Sequence, residues 1–596
     1  MNASAFNWLM TAVAVGAGAP IAREAWNKLR MRQFSIALLV VLASIGAIII
    51  GEAWEAAVVT VLYVVGGLLE SRTLARTRSA LKELVDSMPR TARVRRGDEV
   101  VEVSAYEVAR GDVVVVRPGD LVPVDGEVVA GSASLDTSSV TGESMPMEAG
   151  VGTQVTSGSV SLGGYLEVRA EQVGADTTFS RLVFLVAEAG EQKPKVQRTL
   201  DRFAQWYTPT VIGAAVIVYL FSRDAHLALT FLVISCPGAL VAAAPVAMIA
   251  GLGAAARRGV LIKGGERLER IARIDTVAFD KTGTLTIGRP RVVAVEAFEG
   301  SSEAEVLAAA AAAEMRSEHH LASAILAKAE ADGVGPLAAV DWDLRPGQGV
   351  VASTEGGETI AVGNAALMEA VGVVLGPEQA AAAEYRAAQG ETVAFVSLAG
   401  RAIGLIGIAD QPRTDAAQAI AALREEGIRR IVMLTGDNRR AAEHVGKVLG
   451  IHSEDIRAGL MPDEKVETIR ELQANGARVA MVGDGINDAP SLATADVSIA
   501  MGASATRAAM EAADIALMSN NLMRIPQAIA DSRRILRVVK QNVALAVGVV
   551  AFLLVGVLAG RVHLASGMAV HEASILAVTL NGMRLLGRGG TPASRA

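Results

Sequence analysis

Three short apolar runs from residue 276 onward each end on a polar cluster suited to phosphoryl chemistry. Thr276–Phe279 runs into Asp280-Lys281-Thr282-Gly283-Thr284-Leu285-Thr286. Arg430–Leu434 runs into Thr435-Gly436-Asp437-Asn438, and a third run closes on Val482-Gly483-Asp484-Gly485-Ile486-Asn487-Asp488, with Lys465 upstream. A carboxylate at a strand end is open to in-line approach by a phosphate, so Asp280 is the candidate nucleophile. Thr282 and Thr435 offer hydroxyl donors for phosphoryl oxygens, and Lys465 offers a cation for transition-state charge. Asp280, Thr282, Asp484 and Asp488 offer hard oxygen ligands for Mg2+. Any one of these aspartates alone reads as a helix cap; the set, in this order, argues for catalysis. No glycine-rich Walker loop occurs, which excludes a P-loop ATPase.

A second chemistry sits inside apolar stretches. The only cysteine of the chain lies in Ile234-Ser235-Cys236-Pro237-Gly238-Ala239-Leu240. Proline removes a backbone donor and glycine loosens the next turn, so this helix is expected to be unwound within the membrane, where open backbone is tolerated around a cavity. A buried cysteine away from proline would be a small hydrophobe and no more. The last apolar stretch carries His571-Glu572-Ala573-Ser574 and then Asn581-Gly582-Met583-Arg584. Ionisable groups in a span face a site or one another, and the other reading puts His571 and Glu572 in water at the outer interface. One thiolate, one imidazole and one carboxylate form a borderline donor set, suited to Zn2+, Co2+, Ni2+ or Fe2+ rather than Cu+.

These groups need a scaffold that is half membrane and half soluble. Of 596 residues, 51% are hydrophobic and 20% charged, and the mean hydropathy is +0.38. The formal net charge of −7 leaves no basic surface for nucleic acid, and a single cysteine excludes an intrachain disulfide or a Cys-x-x-Cys site. Apolar runs at Phe6–Ile21, Phe34–Ile50, Ala53–Leu69, Trp206–Phe221, Leu227–Leu252, Val543–Gly560 and Gly567–Leu586 read as seven spans. Arginine and lysine cluster on alternate sides of them, which places the N-terminus outside, the C-terminus inside, and both long polar segments in the cytoplasm. The first polar segment alternates apolar and polar residues, as at Val100–Val103, Val113–Val116 and Gly126–Ala130, and reads as a small all-β domain. The second reads as a doubly wound α/β domain with an α+β insertion.

The phosphoryl clusters resemble those of the P-type ATPases. Asp280–Thr286 matches that family's DKTGTLT, in which the aspartate is phosphorylated; Thr435–Asp437 matches TGD, and Gly483–Asp488 matches GDGxND. Thr141-Gly142-Glu143-Ser144 matches the TGES loop of the actuator domain, and Pro123-Val124-Asp125-Gly126 its upstream PxDG turn. Ser317-Glu318-His319 and Gly347-Gln348-Gly349 look like the nucleotide-binding signature of the heavy-metal branch, although His320 stands where proline is usual. The resemblance implies ATP and Mg2+ as cofactors, nucleotide contacts from Glu318, His319, Gly347, Gly349 and Asp437, and catalytic roles for Asp280, Glu143, Thr282, Thr435 and Lys465. Cys236-Pro237 is similar to the CPC or SPC of heavy-metal pumps, with Gly238 in place of a second coordinating residue. His571–Ser574 is similar to the HEG(G/S)T span of cobalt, nickel, iron and zinc exporters, and Ser235, Cys236, His571 and Glu572 are the expected ligands.

The expected organisation is spans at 1–73, an actuator domain with linker helices at 74–200, spans with the Cys-Pro-Gly site at 201–258, and the phosphorylation domain at 259–291 and 405–535. A nucleotide-binding domain occupies 292–404, and the last spans and tail 536–596. Thr282 stands where phosphatases with a similar nucleophile carry a second acid, so the phosphoenzyme is expected to persist until Glu143 orients water. Export of a divalent transition metal across the cell membrane, without an obligatory protein partner, is the function implied. A potassium-type catalytic subunit and a membrane-tethered phosphatase or sensor are the alternatives.

Overall fold

A computed structural model describes residues 3–31, 33–86, 89–97, 99–138, 146–181, 184, 195–317, 320–437, 439–484, 488–502 and 512–586. The chain divides into two compact units. The first comprises Met1–Arg273, Leu517–Ser519 and Ala528–Ala596, and the second Ile274–Ala516 with Asn520–Gln527.

The first unit opens on three helices, α1 (Ala3–Arg30), α2 (Ile36–Ile49) and α3 (Ala53–Asp86). An antiparallel sheet follows, formed by β1 (Thr91–Arg96), β2 (Glu99–Ser104), β3 (Val113–Val116), β4 (Asp125–Asp136), β5 (Met147–Ala149), β6 (Gln154–Val155) and β7 (Val160–Gln172). Its order is β2-β1-β3-β7-β4-β5, with β6 on β4. The period-two pattern buries Val94, Val114, Val116, Val128, Leu135, Leu166 and Val168 in one core. Asp125 pins this domain from inside. Its carboxylate accepts from the Ser157 amide at 2.7 Å and from the Thr178 amide and hydroxyl at 2.6 and 2.8 Å. Gly126 beside it has no room for a side chain, since a Cβ would stand 2.0 Å from the Arg169 carbonyl oxygen.

The chain returns to helices with α4 (Lys195–Ser222), α5 (Ala225–Ile234), α6 (Gly238–Ala242) and α7 (Pro245–Ala256), and ends on α8 (Arg524–Leu558) and α9 (Leu564–Met583). Asp224 caps α5 through the Leu227 amide at 3.1 Å. At the other end of α5 the helix stops, because Pro237 has no N–H to continue the ladder. The Ser235 hydroxyl and amide both turn back to the Phe231 carbonyl, the hydroxyl at 2.7 Å. A second break falls at Ala243 and Ala244, before Pro245 opens α7. Among the described residues four stretches are long and apolar enough to cross a membrane, namely Ala5–Arg30, Lys195–Ser222, Ala225–Ala256 and Arg524–Leu558. Ile36–Ile49 and Ala53–Leu69 are apolar but shorter. The seven-span count therefore rests on α2, α3 and the His-Glu helix α9 as well as on these four.

The second unit holds two sheets. The chain enters on β8 (Thr276–Asp280) and then builds an antiparallel sheet from β9 (Arg291–Ala297), β10 (Ala339–Arg345), β11 (Gly349–Thr354), β12 (Thr359–Gly363), β13 (Thr392–Leu398) and β14 (Arg401–Ala409). The order is β9-β14-β13-β12-β11-β10, and the helices Glu303–Glu314 and His320–Ala331 pack on it through Ala309–Ala313, Ala324 and Ile325. The expected domain boundary at Gly404 falls inside β14. That strand runs on to Ala409 because it pairs with β9 along Arg291–Ala297, so both connections leave the sheet at the same end.

The chain then completes a parallel sheet with β15 (Arg430–Leu434), β16 (Ile456–Arg457), β17 (Val479–Gly483) and β18 (Val497–Met501), ordered β16-β15-β8-β17-β18. Its strands are buried on both faces and read as continuous apolar runs, as parallel strands do.

Candidate active site and ion site

Strand register brings the three clusters level. Arg430 pairs with Thr276 and Leu434 with Asp280, so Thr435 begins the loop beside Asp280. Val479 pairs with Thr276 and Val482 with Phe279, which brings Gly483 and Asp484 to the same edge. The loops therefore meet at the carboxyl ends of the strands, where doubly wound sheets carry their sites.

Asp280 is buried, and its Oδ1 accepts from Lys465 Nζ at 2.6 Å. The same ammonium donates to Asp488 Oδ1 at 2.7 Å. Burial and then the neighbouring Asp488 carboxylate push the Asp280 carboxyl up to about 7, against the pull of Lys465. Burial works against the Lys465 ammonium too, but Asp280 and Asp488 outweigh it and raise its pKa above the ordinary lysine value. One cation thus serves two carboxylates, with the Asp484 charge close enough to act on Asp280 as well. Lys281, next to Asp280, pairs instead with Asp437.

Two glycines make this crowding possible. Gly283 has φ +75°, and a Cβ there would stand 3.0 Å from Asp484 Oδ2. A Cβ on Gly483 would stand 2.9 Å from Asp488 Oδ2. Thr282 is exposed in extended backbone, φ −75° and ψ 128°, just after the nucleophile. Thr435 Oγ1 accepts from the Asp437 amide at 3.1 Å.

Hard carboxylate oxygens held together with a single ammonium fit Mg2+, whose preference is for oxygen. Asp280, Asp484 and Asp488 are the residues that would hold it, with Thr282 at the edge. Among the described residues no three His, Cys, Asp or Glu side chains already surround one point closely enough to bind an ion. The set is one that a phosphate oxygen and water would have to complete.

Sequence reasoning missed a second layer around this loop. Arg413 donates through Nε to the Thr284 carbonyl and through its terminal nitrogen to the Gly283 carbonyl, both at 2.9 Å. Asp410 accepts from the Thr286 hydroxyl at 2.5 Å and from the Gly288 amide at 2.9 Å. The only signal was a charged Asp410-Gln-Pro-Arg413 segment at a strand end.

A cavity of about 660 Å3 opens beside the antiparallel sheet, within the size range of small-molecule sites. Gly347 and Gly349 line it as expected, joined by Glu314, Ser317, Gly363 and Asn364. Asn364 Nδ2 donates to the Gly347 carbonyl at 2.9 Å, which fixes the glycine loop. Gly349, at φ +147°, brings the backbone so close that a Cβ would stand 2.1 Å from the Val362 carbonyl oxygen. An apolar wall with glycine backbone and a few polar groups fits a nucleotide. Glu318 and His319 lie outside the described residues, as do Thr141–Ser144, including Glu143, and the Gly485–Asn487 part of the third cluster.

In the helical unit, Gly238 is the meeting point. A Cβ built on it would stand 3.2 Å from His571 Nε2 and 3.7 Å from Cys236 Sγ. Cys236 and His571 are both buried, and neither ring nitrogen of His571 has a hydrogen-bond partner. The other expected ligands are placed differently. Ser235 spends its hydroxyl on the Phe231 carbonyl. Glu572 follows His571 on the helix and so leaves on another face, with its carboxylate against Gly66 of α3, where a Cβ would stand 1.9 Å from Oε2. Cys236 and His571 are thus brought together at Gly238.

Comparison with known proteins agrees with both units. Residues 274–496 match the haloacid dehalogenase-like hydrolase family, and residues 86–187 match the P-type ATPase actuator domain. A manganese-exporting P-type ATPase of Mycobacterium bovis is 38% identical over 97% of this chain and 81% of its own length. A cadmium-transporting ATPase of Staphylococcus aureus is 35% identical over 93% of this chain and 77% of its own. The crystal structure of a zinc-transporting PIB-type ATPase in its E2.Pi state matches with a TM-score of 0.64 and 36% identity, covering 98% of this chain and 96% of that one.

Proposed function

Because this chain belongs to the P-type ATPases, ATP-hydrolysing and cation-translocating enzymes of the cell membrane that work with Mg2+, we propose that it exports a divalent transition-metal ion, zinc, cobalt, nickel or iron. The observation that carries the ion reading is the pair of Cys236 and His571 facing the missing side chain of Gly238, with both imidazole nitrogens buried and unpartnered. A thiolate and a neutral imidazole bind borderline ions well, and a single sulfur disfavours Cu+. Relatives named for manganese, cadmium and zinc support the metal class.

In the reaction, Asp280 attacks the terminal phosphorus of ATP, the bond to the bridging oxygen breaks, and ADP leaves. Lys465 sits where charge develops on the transferred group and also keeps the two carboxylates from repelling each other. Asp280, Asp484 and Asp488 would hold Mg2+, which when bound would supply further charge neutralisation. Thr282 cannot act as an acid or base, so the acyl phosphate waits for Glu143 to orient water, which ties hydrolysis to a domain movement. The glycine-lined cavity with Glu314 and Asn364 takes the nucleotide.

ATP hydrolysis by the purified protein across a metal panel tests the ion reading. At least one of Zn2+, Co2+, Ni2+ and Fe2+ is expected to stimulate it. Cys236→Ala and His571→Ala are each expected to abolish stimulation while leaving phosphorylation of Asp280 by inorganic phosphate intact. Full stimulation of both variants by every metal that stimulates the parent would overturn the proposed site.

A further inference from the structure

Ala243 lies in the second break of the apolar stretch, where α6 has ended and α7 has not begun. Carbonyls at such a break fall outside a continuous helical ladder, and in a membrane an unsatisfied carbonyl costs several kcal/mol. Here the carbonyl of Ala243 accepts from Asn542 Nδ2 of α8 at 3.1 Å. Asn542 Oδ1 in turn accepts from Asn581 Nδ2 of α9 at 2.7 Å. Asn542 is 0% exposed, so water cannot substitute for either partner. One buried amide thus ties three separate helices together.

The packing around this tie is unspecific. Ala239, Ala242 and Ala243 of the broken segment meet Ala546 of α8 and Ile575 and Val578 of α9. Small apolar side chains allow close approach but set no register, and between membrane helices polar bonds provide it. Next to Asn581, Gly582 lets α9 come within contact of α7, since a Cβ there would stand 2.9 Å from Val246 and 3.1 Å from the Ala247 amide. The segment α6 is a five-residue peg with Cys236 and Gly238 at one end and Ala243 at the other. Fixing Ala243 against α8 and α9 fixes how the other end meets His571, which α9 also carries.

We propose that Asn542 is a positioning residue for the ion site. Its bonds to Ala243 and Asn581 hold the interrupted helix in the register that sets Cys236 opposite His571. The inference rests on the reading of that pair as the ion site, but it can be measured apart from it, because Cys236 is the only thiol in the chain.

The test compares the full-length parent with Asn542→Leu, which loses both bonds in a side chain of similar size, and Asn542→Ala, which loses both bonds in a smaller one. Two quantities are read: the rate at which a small membrane-permeant thiol reagent modifies Cys236, and the metal concentration giving half-maximal ATPase stimulation. Phosphorylation by inorganic phosphate serves as the folding control. In folded variants the modification rate is expected to change severalfold. The half-maximal metal concentration is expected to rise by about ten- to a hundredfold, as when a group orienting a metal ligand is removed. Asn542→Ala is expected to resemble Asn542→Leu. Unchanged thiol reactivity and metal dependence in variants that phosphorylate normally would overturn the proposal. A parent without metal stimulation would overturn the export reading instead, and the thiol rates alone would then decide on Asn542. Should Asn542→Leu fail the folding control, Asn542→Ala decides the matter alone.

Discussion

Asp280 sits in opposed surroundings: a buried carboxylate paired with one lysine that is shared with a second carboxylate. Replacing it with asparagine leaves the Lys465 ammonium a neutral oxygen to donate to but removes the nucleophile. Labelled ATP is expected to give an acid-stable, hydroxylamine-sensitive phosphoprotein with the parent chain and none with Asp280→Asn. Label persisting in that variant would move the nucleophile elsewhere. Gly238 permits a second test at this scale. A cysteine introduced by Gly238→Cys would bring a thiol to the Cys236–His571 pair, its Cβ standing 3.2 Å from His571 Nε2. The variant is expected to bind soft ions such as Cd2+ about tenfold more tightly and to turn over more slowly, which metal titrations of ATPase activity would register. Equal metal preference in parent and variant would mean that Gly238 does not face the ion. At this scale Asp280 and Cys236 were legible because each is marked by its immediate neighbours. Glu314, Asn364, Arg413 and Asn542 were not, because each acts on backbone or space brought near only by folding.

Strand register converts the sequence clusters into a site, and glycines set how close the loops come. Adding a methyl group at Gly283 forces a left-handed backbone on a residue that resists it, at roughly 1–2 kcal/mol, and meets Asp484 at 3.0 Å. Gly483→Ala meets no such backbone penalty but presses on Asp488 at 2.9 Å, and Asp488 is a partner of Lys465. Both variants are expected to unfold at temperatures only slightly below the parent while phosphoenzyme formation drops by about a hundredfold, a displacement effect larger than the stability effect. Thermal unfolding measured beside labelling separates the two, and parallel losses would argue that the loops matter only for folding. The parallel strands were readable as apolar runs ending on polar clusters. The antiparallel sheet was readable as an insertion, but not its far edge, because the continuation of β14 past Gly404 depends on pairing with β9, more than a hundred residues earlier in the chain.

For the molecule as a whole, the proposed mechanism separates making the phosphoenzyme from breaking it, because Thr282 cannot serve as an acid. Glu143→Gln is expected to phosphorylate normally and to lose label about a hundredfold more slowly, the usual worth of a positioned base. Ordinary decay would assign the water to another group. Helix composition revealed the membrane half of the chain, and Pro237 revealed its interruption. Which side chains converge there was less legible, since Glu572 is adjacent to His571 in sequence yet faces Gly66. The most direct test of the account is ATP-dependent uptake of Zn2+, Co2+, Ni2+ and Fe2+ into sealed inside-out vesicles bearing the parent chain or Asp280→Asn. Uptake of at least one ion by the parent and of none by the variant is predicted. No ATP-dependent uptake of any of the four, or uptake that survives loss of Asp280, would contradict it.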